Sequence, residues 1–386
     1  MATATSNGTN PIKALLTKGQ SVWQDDISRQ MLMSGQLDER ISEIGIRGVT
    51  SNPTIFQKAI SSGDAYDDDI KDMLGRNMDV AAVFQTLAVK DIQDACDLFR
   101  PIHDESDGED GFVSLEVLPS LARDTEGTLR NARELWNAVD RPNLMIKVPG
   151  TDEGAAAVET LLTEGINVNV TLLFSIANYE RVAVGYINSL QKRNDAGLPI
   201  DRIASVASFF VSRVDTLADK LLDDAATNSD SDRRLIESLK GKVAVANAQL
   251  AYRRFQQLFG TEQFRKLEAN GAKVQRPLWA STGTKNKAYS DVLYVETLVG
   301  PHTVNTMPIA TIEAFLDHGK VARTVDASYG EAQAVADGLA KLGISLDELT
   351  RQLEKEGIDS FVASYDDLLE GVGAKRAQLA DAVSGN

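Results

Sequence analysis

Eight short runs of apolar and β-branched residues recur along the chain, and helical patterns separate them. The runs cover residues 21–25, 46–52, 112–117, 144–148, 166–174, 203–211, 276–282 and 302–307. Amphipathic stretches at 125–139, 152–165 and 177–193 stand between strands. Strands that alternate with helices predict βαβ units and a parallel sheet. Eight units in one chain favour an α/β fold of the (β/α)8 TIM barrel type, with a doubly wound open sheet as the alternative.

Several segments exceed the minimal barrel pattern. Residues 53–102 are mostly helical in pattern, and 103–111 indicates an acidic, flexible loop. We expect a helical insertion around 215–275, before the seventh strand, and a helical C-terminal tail over 308–384. No linker rich in Pro or Gly divides the chain, so residues 1–386 are predicted to form a single barrel domain.

The charge balance argues against polyanionic partners. The chain carries 40 Lys and Arg against 56 Asp and Glu, a net charge of −16, which repels phosphate backbones and anionic lipid. The polar N-terminal residues 1–10 lack the apolar run of a signal peptide, and no run reaches the length of a membrane span. We therefore expect a cytoplasmic protein that binds neither nucleic acid nor membrane. The oligomeric state, monomer or homodimer, stays open.

The cysteine and histidine content argues against disulfide and metal chemistry. The single cysteine, Cys96, lies on the apolar face of a helical pattern, which predicts a buried structural thiol rather than a nucleophile. His103, His302 and His318 are far apart in sequence and show no metal-ligand spacing. The chain also lacks the GxGxxG and GxxxxGK[ST] patterns of nucleotide sites. We therefore predict no bound metal and no cofactor.

Polar residues occupy strand positions where a packed barrel interior favours Val or Ile. They are Asp25, Asn52, Glu116, Lys147, Asn169, Thr171, Ser208 and Ser281. Each one alone is compatible with a solvated strand end. The catalytic groups of barrel enzymes lie at the C-terminal ends of the strands, because the βα loops meet there. Eight polar side chains, one or two per strand, therefore predict a polar ring around a single mouth.

The most informative of these residues is Lys147, which lies in the apolar run 144–148. A lysine usually packs its stem and leaves its amine in water, but this run has no alternation that would place Lys147 on a solvated face. Helices cover the outer face of a parallel barrel, so an inward position near the mouth remains. Burial disfavours the protonated form of an amine and makes it a nucleophile. Such an amine attacks a carbonyl to form a Schiff base, an electron sink for C–C cleavage.

Schiff-base chemistry also needs groups that move protons. A carbinolamine must lose water, and a substrate hydroxyl must lose its proton when the C–C bond breaks. Asp25 and Glu116, on two other strands, are the candidate acid/base groups. Glu116 stands between Leu115 and Val117, and these apolar flanks are expected to raise the pKa of its carboxyl group.

At this point the motifs resemble those of the transaldolase family. The shared stretches, in the family's order and approximate spacing, are GVTSNPTIF, SLEV, MIKVPGT, NVNVTLLFS, SFFVSRVD and PLWASTGTKN. The longer variety of transaldolase, with extra helical segments, is the most similar, and the resemblance runs from about Asp25 to Pro308. The lysine motif followed by N-x-T-L-x-F-S is specific, whereas SNPT alone would be weak.

The resemblance implies roles for the residues that match the family's catalytic motifs. Lys147 matches the Schiff-base lysine, and Asp25 matches the aspartate that takes up the hydroxyl proton during cleavage. Glu116 matches the glutamate that acts through a catalytic water, and Thr171 matches the threonine that positions this water.

The resemblance also implies a set of substrate contacts. Asn52 and Asn169 match the asparagines that hold substrate hydroxyl groups. Ser208 matches a substrate-binding serine, Phe210 the pocket aromatic and Arg213 the phosphate-binding arginine. A guanidinium group suits that last role because its donors bind phosphate in a bidentate manner.

One departure concerns the second phosphate ligand. Many shorter transaldolases carry an arginine shortly after the serine of the seventh strand, whereas this chain has ASTGTKNK there. Ser281 keeps the serine position, and either Lys285 or backbone N–H groups around Gly283 are the candidate replacements. The identity of the second phosphate ligand stays open.

The activity that the resemblance implies is transfer of a dihydroxyacetone unit from a ketose phosphate to an aldose phosphate. The donor would be sedoheptulose 7-phosphate or fructose 6-phosphate, and the acceptor glyceraldehyde 3-phosphate or erythrose 4-phosphate, as in the non-oxidative pentose phosphate pathway. One alternative is an aldolase that releases dihydroxyacetone to water, although the resembling aldolases place a glutamine and a tyrosine at the positions of Glu116 and Phe210. Another is a non-catalytic sugar-phosphate-binding barrel or a scaffold, neither of which needs a nucleophilic amine.

Overall fold

The computed structural model describes residues 10–76, 78–228 and 233–384. Its eight strands are β1 (Gln20–Gln24), β2 (Gly48–Val49), β3 (Phe112–Glu116), β4 (Leu144–Pro149), β5 (Val168–Leu173), β6 (Ser205–Phe210), β7 (Arg276–Ala280) and β8 (Thr303–Met307). Each strand is parallel to its neighbours, and β1 pairs with β8 to close the barrel. The predicted TIM barrel is therefore confirmed, and the open sheet is excluded. Each of the eight predicted runs overlaps one strand, and β1 and β4 extend one residue beyond their runs.

The helices of the described residues surround the barrel and extend beyond it. They are α1 (Pro11–Leu16), α2 (Arg29–Met33), α3 (Gln36–Glu39), α4 (Pro53–Ser61), α5 (Asp67–Leu74), α6 (Val80–Glu105), α7 (Thr125–Val139), α8 (Asp152–Glu164), α9 (Ile176–Asp195), α10 (Ser212–Asn228), α11 (Arg233–Leu239), α12 (Val243–Phe259), α13 (Glu262–Glu268), α14 (Leu293–Glu296), α15 (Ile309–His318), α16 (Tyr329–Lys341) and α17 (Leu346–Ser384). A π-helical turn at Arg40–Ile44 and a 3₁₀ turn at Pro119–Leu121 complete the set. The three amphipathic stretches singled out in the sequence form α7, α8 and α9.

Local signals explain where α8 begins and ends. The Thr151 hydroxyl accepts a hydrogen bond from the Gly154 N–H at 2.9 Å, which satisfies a free donor of the first turn. Asp152 and Glu153 add negative charge at the same end, where the helix dipole favours it. Gly165 then ends the helix with φ +100°, a left-handed conformation that glycine adopts without strain. These residues return the chain from β4 to the outside of the barrel.

Strand β2 is shorter than the predicted run 46–52, because the chain turns into a helix soon after Val49. The Asn52 side chain accepts a hydrogen bond from the Ile55 N–H at 3.1 Å and caps α4. Pro53 follows at the first helical position, where its missing N–H is not needed. The segment that follows β2 therefore belongs to the βα turn at the barrel mouth.

The expected acidic loop at 103–111 is wrong in two respects. Helix α6 continues to Glu105, and Asp110 is buried rather than exposed. The Asp110 carboxylate accepts hydrogen bonds from the Trp23 Nε1–H at 2.8 Å, from the Arg47 Nε–H at 3.1 Å and from the Ser21 hydroxyl. A buried carboxylate needs such partners, and here they come from β1 and from the residue that precedes β2.

The buried thiol predicted for Cys96 is confirmed. Cys96 lies on the inner face of α6 and is fully buried, and this burial raises the pKa of the thiol. A thiol held in its protonated form is a weak nucleophile. Cys96 is therefore a packing residue of α6.

Helices occupy both regions where the sequence indicates additions to the barrel. Helices α10–α13 lie between β6 and β7, and α15–α17 follow β8. Residues 229–232 of the expected insertion and residues 1–9 of the N-terminal segment lie outside the described residues. Helix α17 has 39 residues, which corresponds to a length of roughly 58 Å. Within the described part of the chain, no helix combines the length and apolarity that a membrane crossing requires.

Candidate active site

A polar cavity of about 340 Å³ lies at the C-terminal mouth of the barrel. Nine of the eleven residues that the sequence points to line it, and they are Asp25, Asn52, Lys147, Thr171, Ser208, Phe210, Arg213, Ser281 and Lys285. The remaining two, Glu116 and Asn169, lie next to the cavity without lining it. The strand ends thus bring together side chains that are up to 260 positions apart in the sequence.

Strand register places three of these side chains beside one another. Glu116 of β3 pairs with Lys147 of β4, and Lys147 pairs with Asn169 of β5. The Lys147 side chain is only 6% exposed, its Nζ donates a hydrogen bond to the Ser51 carbonyl at 3.1 Å, and it lies 3.6 Å from Glu116 Oε2. The amine is therefore held inside the barrel mouth between a carbonyl oxygen and a carboxylate.

Glu116 is a buried carboxyl group in an environment that disfavours its ionised form. Burial raises its pKa to about 7, although the positive charge of Lys147 opposes the shift. The carboxylate oxygens have no hydrogen-bond partner among the described residues. Glu116 faces a second cavity of about 250 Å³, between α4 and α6, which Asn52 also lines. A carboxyl group with this pKa exchanges protons readily near neutral pH, as the sequence predicted from its apolar flanks.

Asp25 follows β1 directly, and β2 separates its strand from β3, which carries Glu116. Burial raises the pKa of its carboxyl group, while the charge of Lys147 and a hydrogen bond from Thr50 lower it. That bond joins Thr50 Oγ1 to Asp25 Oδ1 at 2.8 Å, and Thr50 Oγ1 also lies 2.7 Å from Thr306 Oγ1. The carboxyl group is thus oriented by threonines of the neighbouring strands.

Asn169 is fully buried beneath the cavity, and both ends of its amide are engaged. Its Nδ2 donates a hydrogen bond to Ser114 Oγ at 3.0 Å, and its Oδ1 accepts one from Ser208 Oγ at 2.7 Å. Thr171, two residues further along β5, is also buried, but its hydroxyl has no partner among the described residues. Thr171 therefore offers a free polar atom to the cavity, whereas Asn169 holds Ser208 in position.

Arg213 and Phe210 form one wall of the cavity. The Arg213 guanidinium carbon lies 5.5 Å from the centroid of the Phe210 ring, which in turn lies 5.2 Å from the Phe174 ring. Burial lowers the pKa of Arg213, and the negative charge of Glu356 opposes the shift. A partly desolvated guanidinium beside an aromatic ring is a strong site for an anion.

The segment that follows β7 supplies Ser281 and Lys285. Ser281 has φ +56°, a left-handed conformation that is uncommon for residues other than glycine and is frequent at functional sites. Its hydroxyl lies 3.0 Å from that of Ser212, and its carbonyl accepts a hydrogen bond from the Ser212 N–H. Ser281, Gly283 and Lys285 all line the cavity at the mouth, so both candidate replacements for the second phosphate ligand are present there.

The cavity includes residues that sequence reasoning missed. They include Thr50 and Thr306 at strand ends, Lys58 of α4, and Ser360, Phe361 and Ser364 of α17. Thr306 lies near the end of a predicted strand, so the rule that identified the other polar strand-end residues could also have identified it. No local sequence pattern distinguishes Lys58 or the α17 residues. With Lys58, the cavity wall carries four cationic side chains against the single carboxylate of Asp25. The site is thus locally positive within a chain of net charge −16.

Metal-ligand geometry is not found at this mouth or elsewhere in the described chain. No three His, Cys, Asp or Glu side chains of the described residues come close enough together to hold a metal ion. The polar groups of the mouth are the buried amine of Lys147, two carboxyl groups and several cations and hydroxyls. This arrangement suits covalent chemistry on a carbonyl compound that carries an anionic group.

Comparison with known proteins agrees with this geometry. The family model described as Transaldolase/Fructose-6-phosphate aldolase matches residues 22–372. The chain is 46% identical to Transaldolase 2 of Streptomyces coelicolor over 96% of this chain and 99% of that protein. It is 49% identical to the transaldolase of Mycobacterium tuberculosis over 94% and 96% of the two chains, and 44% identical to that of Trichodesmium erythraeum over 96% and 99%. The chain therefore belongs to the transaldolase/fructose-6-phosphate aldolase family.

Proposed function

We propose that the protein is a transaldolase. It transfers a dihydroxyacetone unit from sedoheptulose 7-phosphate or fructose 6-phosphate to glyceraldehyde 3-phosphate or erythrose 4-phosphate. The observation that carries this proposal is the amine of Lys147, buried at the barrel mouth 3.6 Å from Glu116 and within electrostatic reach of Asp25. This reaction belongs to the non-oxidative pentose phosphate pathway, and the proposal includes a cytoplasmic location.

The first chemical step joins the donor ketose to Lys147. The unprotonated Nζ attacks the C2 carbonyl carbon, and the carbonyl oxygen takes up a proton to give a carbinolamine. Loss of the hydroxyl group as water then leaves a protonated imine. Glu116 is suited to deliver and accept these protons, directly or through a water, because burial raises its pKa to about 7. Thr171, whose hydroxyl has no partner among the described residues, is suited to position that water.

The second step breaks the C3–C4 bond of the donor. Asp25 takes the proton of the C4 hydroxyl group, the C4–O bond becomes a carbonyl, and the electron pair of the C3–C4 bond moves into the imine. The first aldose phosphate leaves, and the three-carbon unit stays on Lys147 as an enamine. The raised pKa of Asp25 supports this role, because it makes the carboxylate a better base.

The third step reverses the second with a new aldehyde. The enamine carbon attacks the acceptor carbonyl, and Asp25 returns its proton to the acceptor oxygen. Water then adds to the imine, the C2–N bond breaks, and the new ketose phosphate and the free Lys147 amine are restored. Atoms and electrons balance without an external oxidant or reductant, and no cofactor is required.

Substrate binding follows from the charges and donors of the cavity. Arg213 binds the phosphate group, with Ser281 and Lys285 after the neighbouring strand β7 as further ligands. Lys58 of α4 adds another cation to the cavity. Asn52 uses its amide oxygen to cap α4, so its Nδ2 is the atom left to bind a substrate hydroxyl. Asn169 has both amide ends engaged, and it acts on the substrate through Ser208.

The rival function is an aldolase that releases dihydroxyacetone to water. Glu116 and Phe210 support transfer, because the resembling aldolases carry a glutamine and a tyrosine at these positions. The rates of glyceraldehyde 3-phosphate formation from fructose 6-phosphate, with and without erythrose 4-phosphate, separate the two functions. A transaldolase requires the acceptor for rapid turnover, whereas equal rates would favour the aldolase.

Borohydride reduction in the presence of fructose 6-phosphate tests the mechanism. Reduction converts the imine into a stable secondary amine, and peptide mass mapping should locate a three-carbon or six-carbon adduct on Lys147. Lys147→Ala should show no adduct and no transfer, while Lys285→Ala should retain the adduct. An adduct on another lysine, or full activity of Lys147→Ala, would overturn the mechanism.

A further inference from the structure

Helix α17 presents one of its faces to the barrel mouth. Gly357, Ser360, Phe361 and Ser364 follow the spacing i, i+3, i+4 and i+7, so they share a face of the helix. Ser360, Phe361 and Ser364 line the active-site cavity. Three of the four residues are small, and Phe361 supplies the large side chain of this face.

The helix is fixed closely above the strand ends. A Cβ atom on Gly357 would lie 3.1 Å from Leu172 Cδ2, so a larger residue would require the Leu172 side chain or α17 to shift. The Thr54 hydroxyl donates a hydrogen bond to Ser364 Oγ at 3.0 Å, which ties the same face to α4. Further along the helix, Lys375 pairs with Asp67 at 2.7 Å. The position of Phe361 is therefore set by contacts on both sides of it.

Phe361 stands over the reactive amine. The centroid of its ring lies 5.5 Å from Lys147 Nζ, within the range of a cation–π contact. Phe361 is itself half-buried, and the Lys147 side chain is 6% exposed. The ring thus borders the amine within the mouth cavity, whereas Glu116 lines the separate cavity between α4 and α6.

We propose that Phe361 is a positioning residue that shields the Schiff base at Lys147 from solvent and so favours transfer over release of the three-carbon unit. This inference rests on the proposed transaldolase function. It concerns the enamine, which has two fates after the first aldose phosphate has left. One fate gives a new ketose phosphate, and the other gives free dihydroxyacetone.

The two fates differ in what the enamine carbon accepts. In transfer, C3 forms a bond to the acceptor carbonyl carbon, and the acceptor oxygen takes a proton. In release, C3 takes a proton instead, water adds to C2, and the C2–N bond breaks to free dihydroxyacetone and the amine. Solvent that reaches the enamine from the mouth supplies the competing proton. An apolar ring on that side suppresses release, while water from the Glu116 side still serves the imine hydrolysis that completes transfer.

The experiment compares four proteins with fructose 6-phosphate as donor. Wild type, Phe361→Ser, Phe361→Leu and Ala363→Ser are assayed with and without erythrose 4-phosphate, and the ratio of dihydroxyacetone release to transfer is measured. Leucine keeps an apolar shield without a π system. Ala363 is exposed on the same helix, so its serine variant controls for the added hydroxyl in α17.

The expected result is a change in the ratio for one variant. Phe361→Ser should raise the release-to-transfer ratio by about tenfold, the size of a lost desolvated contact. Phe361→Leu and Ala363→Ser should stay within about threefold of the wild type. The ratio is independent of the fraction of folded enzyme, so a loss of stability alone does not change it.

Three outcomes would overturn the inference. An unchanged ratio in Phe361→Ser, with the borohydride adduct on Lys147 intact, would refute the shielding role and leave the proposed function standing. A ratio in Phe361→Leu as high as in Phe361→Ser would assign the effect to the aromatic π system instead of to shielding. Wild-type protein that forms neither adduct nor transfer product would remove the proposed function and this inference together.

Discussion

Replacing Glu116 with glutamine is expected to stabilise the protein at alkaline pH while it lowers activity. Burial raises the pKa of the Glu116 carboxyl group to about 7, and the charge of Lys147 opposes this shift only in part. Glutamine has nearly the shape of the protonated acid but does not ionise. The substitution therefore removes the free-energy cost of holding a carboxylate in this buried position.

The magnitude follows from the difference between the two pKa values. A carboxyl group with a pKa of 4.5 in the unfolded chain and about 7 in the folded protein binds its proton more tightly when folded. Its contribution to stability is fully present below pH 4.5 and is lost as the pH rises through 7. Between about pH 5 and about pH 8, the wild type should lose roughly 2.5 kcal/mol of unfolding free energy from this group.

Urea unfolding at a series of pH values measures this effect. The unfolding free energy of Glu116→Gln minus that of the wild type should grow by about 2.5 kcal/mol from about pH 5 to about pH 8. Glu268 is exposed on α13, and Glu268→Gln should leave the pH dependence unchanged. The turnover number of Glu116→Gln should fall by about 100-fold, the typical loss when a proton-transfer group is removed. Parallel pH dependences of Glu116→Gln and wild type would refute the reasoning.

Two further substitutions test the proposed phosphate site and the buried ion pairs of Asp110. Arg213→Gln should raise the KM for fructose 6-phosphate by about 10- to 100-fold, which corresponds to the loss of a charge-assisted hydrogen bond. The KM for unphosphorylated fructose should change much less. Equal effects on both sugars would exclude a contact between Arg213 and the phosphate group. Asp110→Ala should lower the unfolding free energy by about 3–5 kcal/mol, because it leaves the guanidinium groups of Arg47 and Arg276 without their buried partner. Urea unfolding measures this loss. A change below about 1 kcal/mol would show that solvent screens the ion pairs of Asp110 with Arg47 and Arg276.

The strand pattern carried enough information to predict the barrel. Eight β-rich runs alternate with helical stretches, and all eight overlap a strand of the closed barrel. The prediction succeeds because each βα unit is encoded locally, by periodicity within the strand and by signals such as Thr151 and Gly165 at the ends of α8. The boundaries were less accurate at β2, where a helix cap shortens the strand.

The position of Lys147 at the barrel mouth was also open to prediction. An apolar run on both sides of the lysine excludes a solvated face, and the end of a parallel strand fixes its level in the barrel. The cavity at the mouth contains nine of the eleven candidate residues. The acidic stretch at 103–111 shows the opposite case, since its composition indicates solvent exposure but the fold buries Asp110 against Trp23 and Arg47.

The sequence by itself determined the barrel architecture and the height of each strand-end side chain along the barrel axis. Both depend on short-range periodicity and on the geometry common to all parallel barrels. Tertiary structure alone decided which additional residues reach the mouth. Lys58 and Phe361 belong to helices whose docking depends on contacts with distant parts of the chain, such as Gly357 against Leu172 and Lys375 against Asp67. It also decided the environment of Glu116, because a carboxyl group's pKa is set by the burial and charges around it in space.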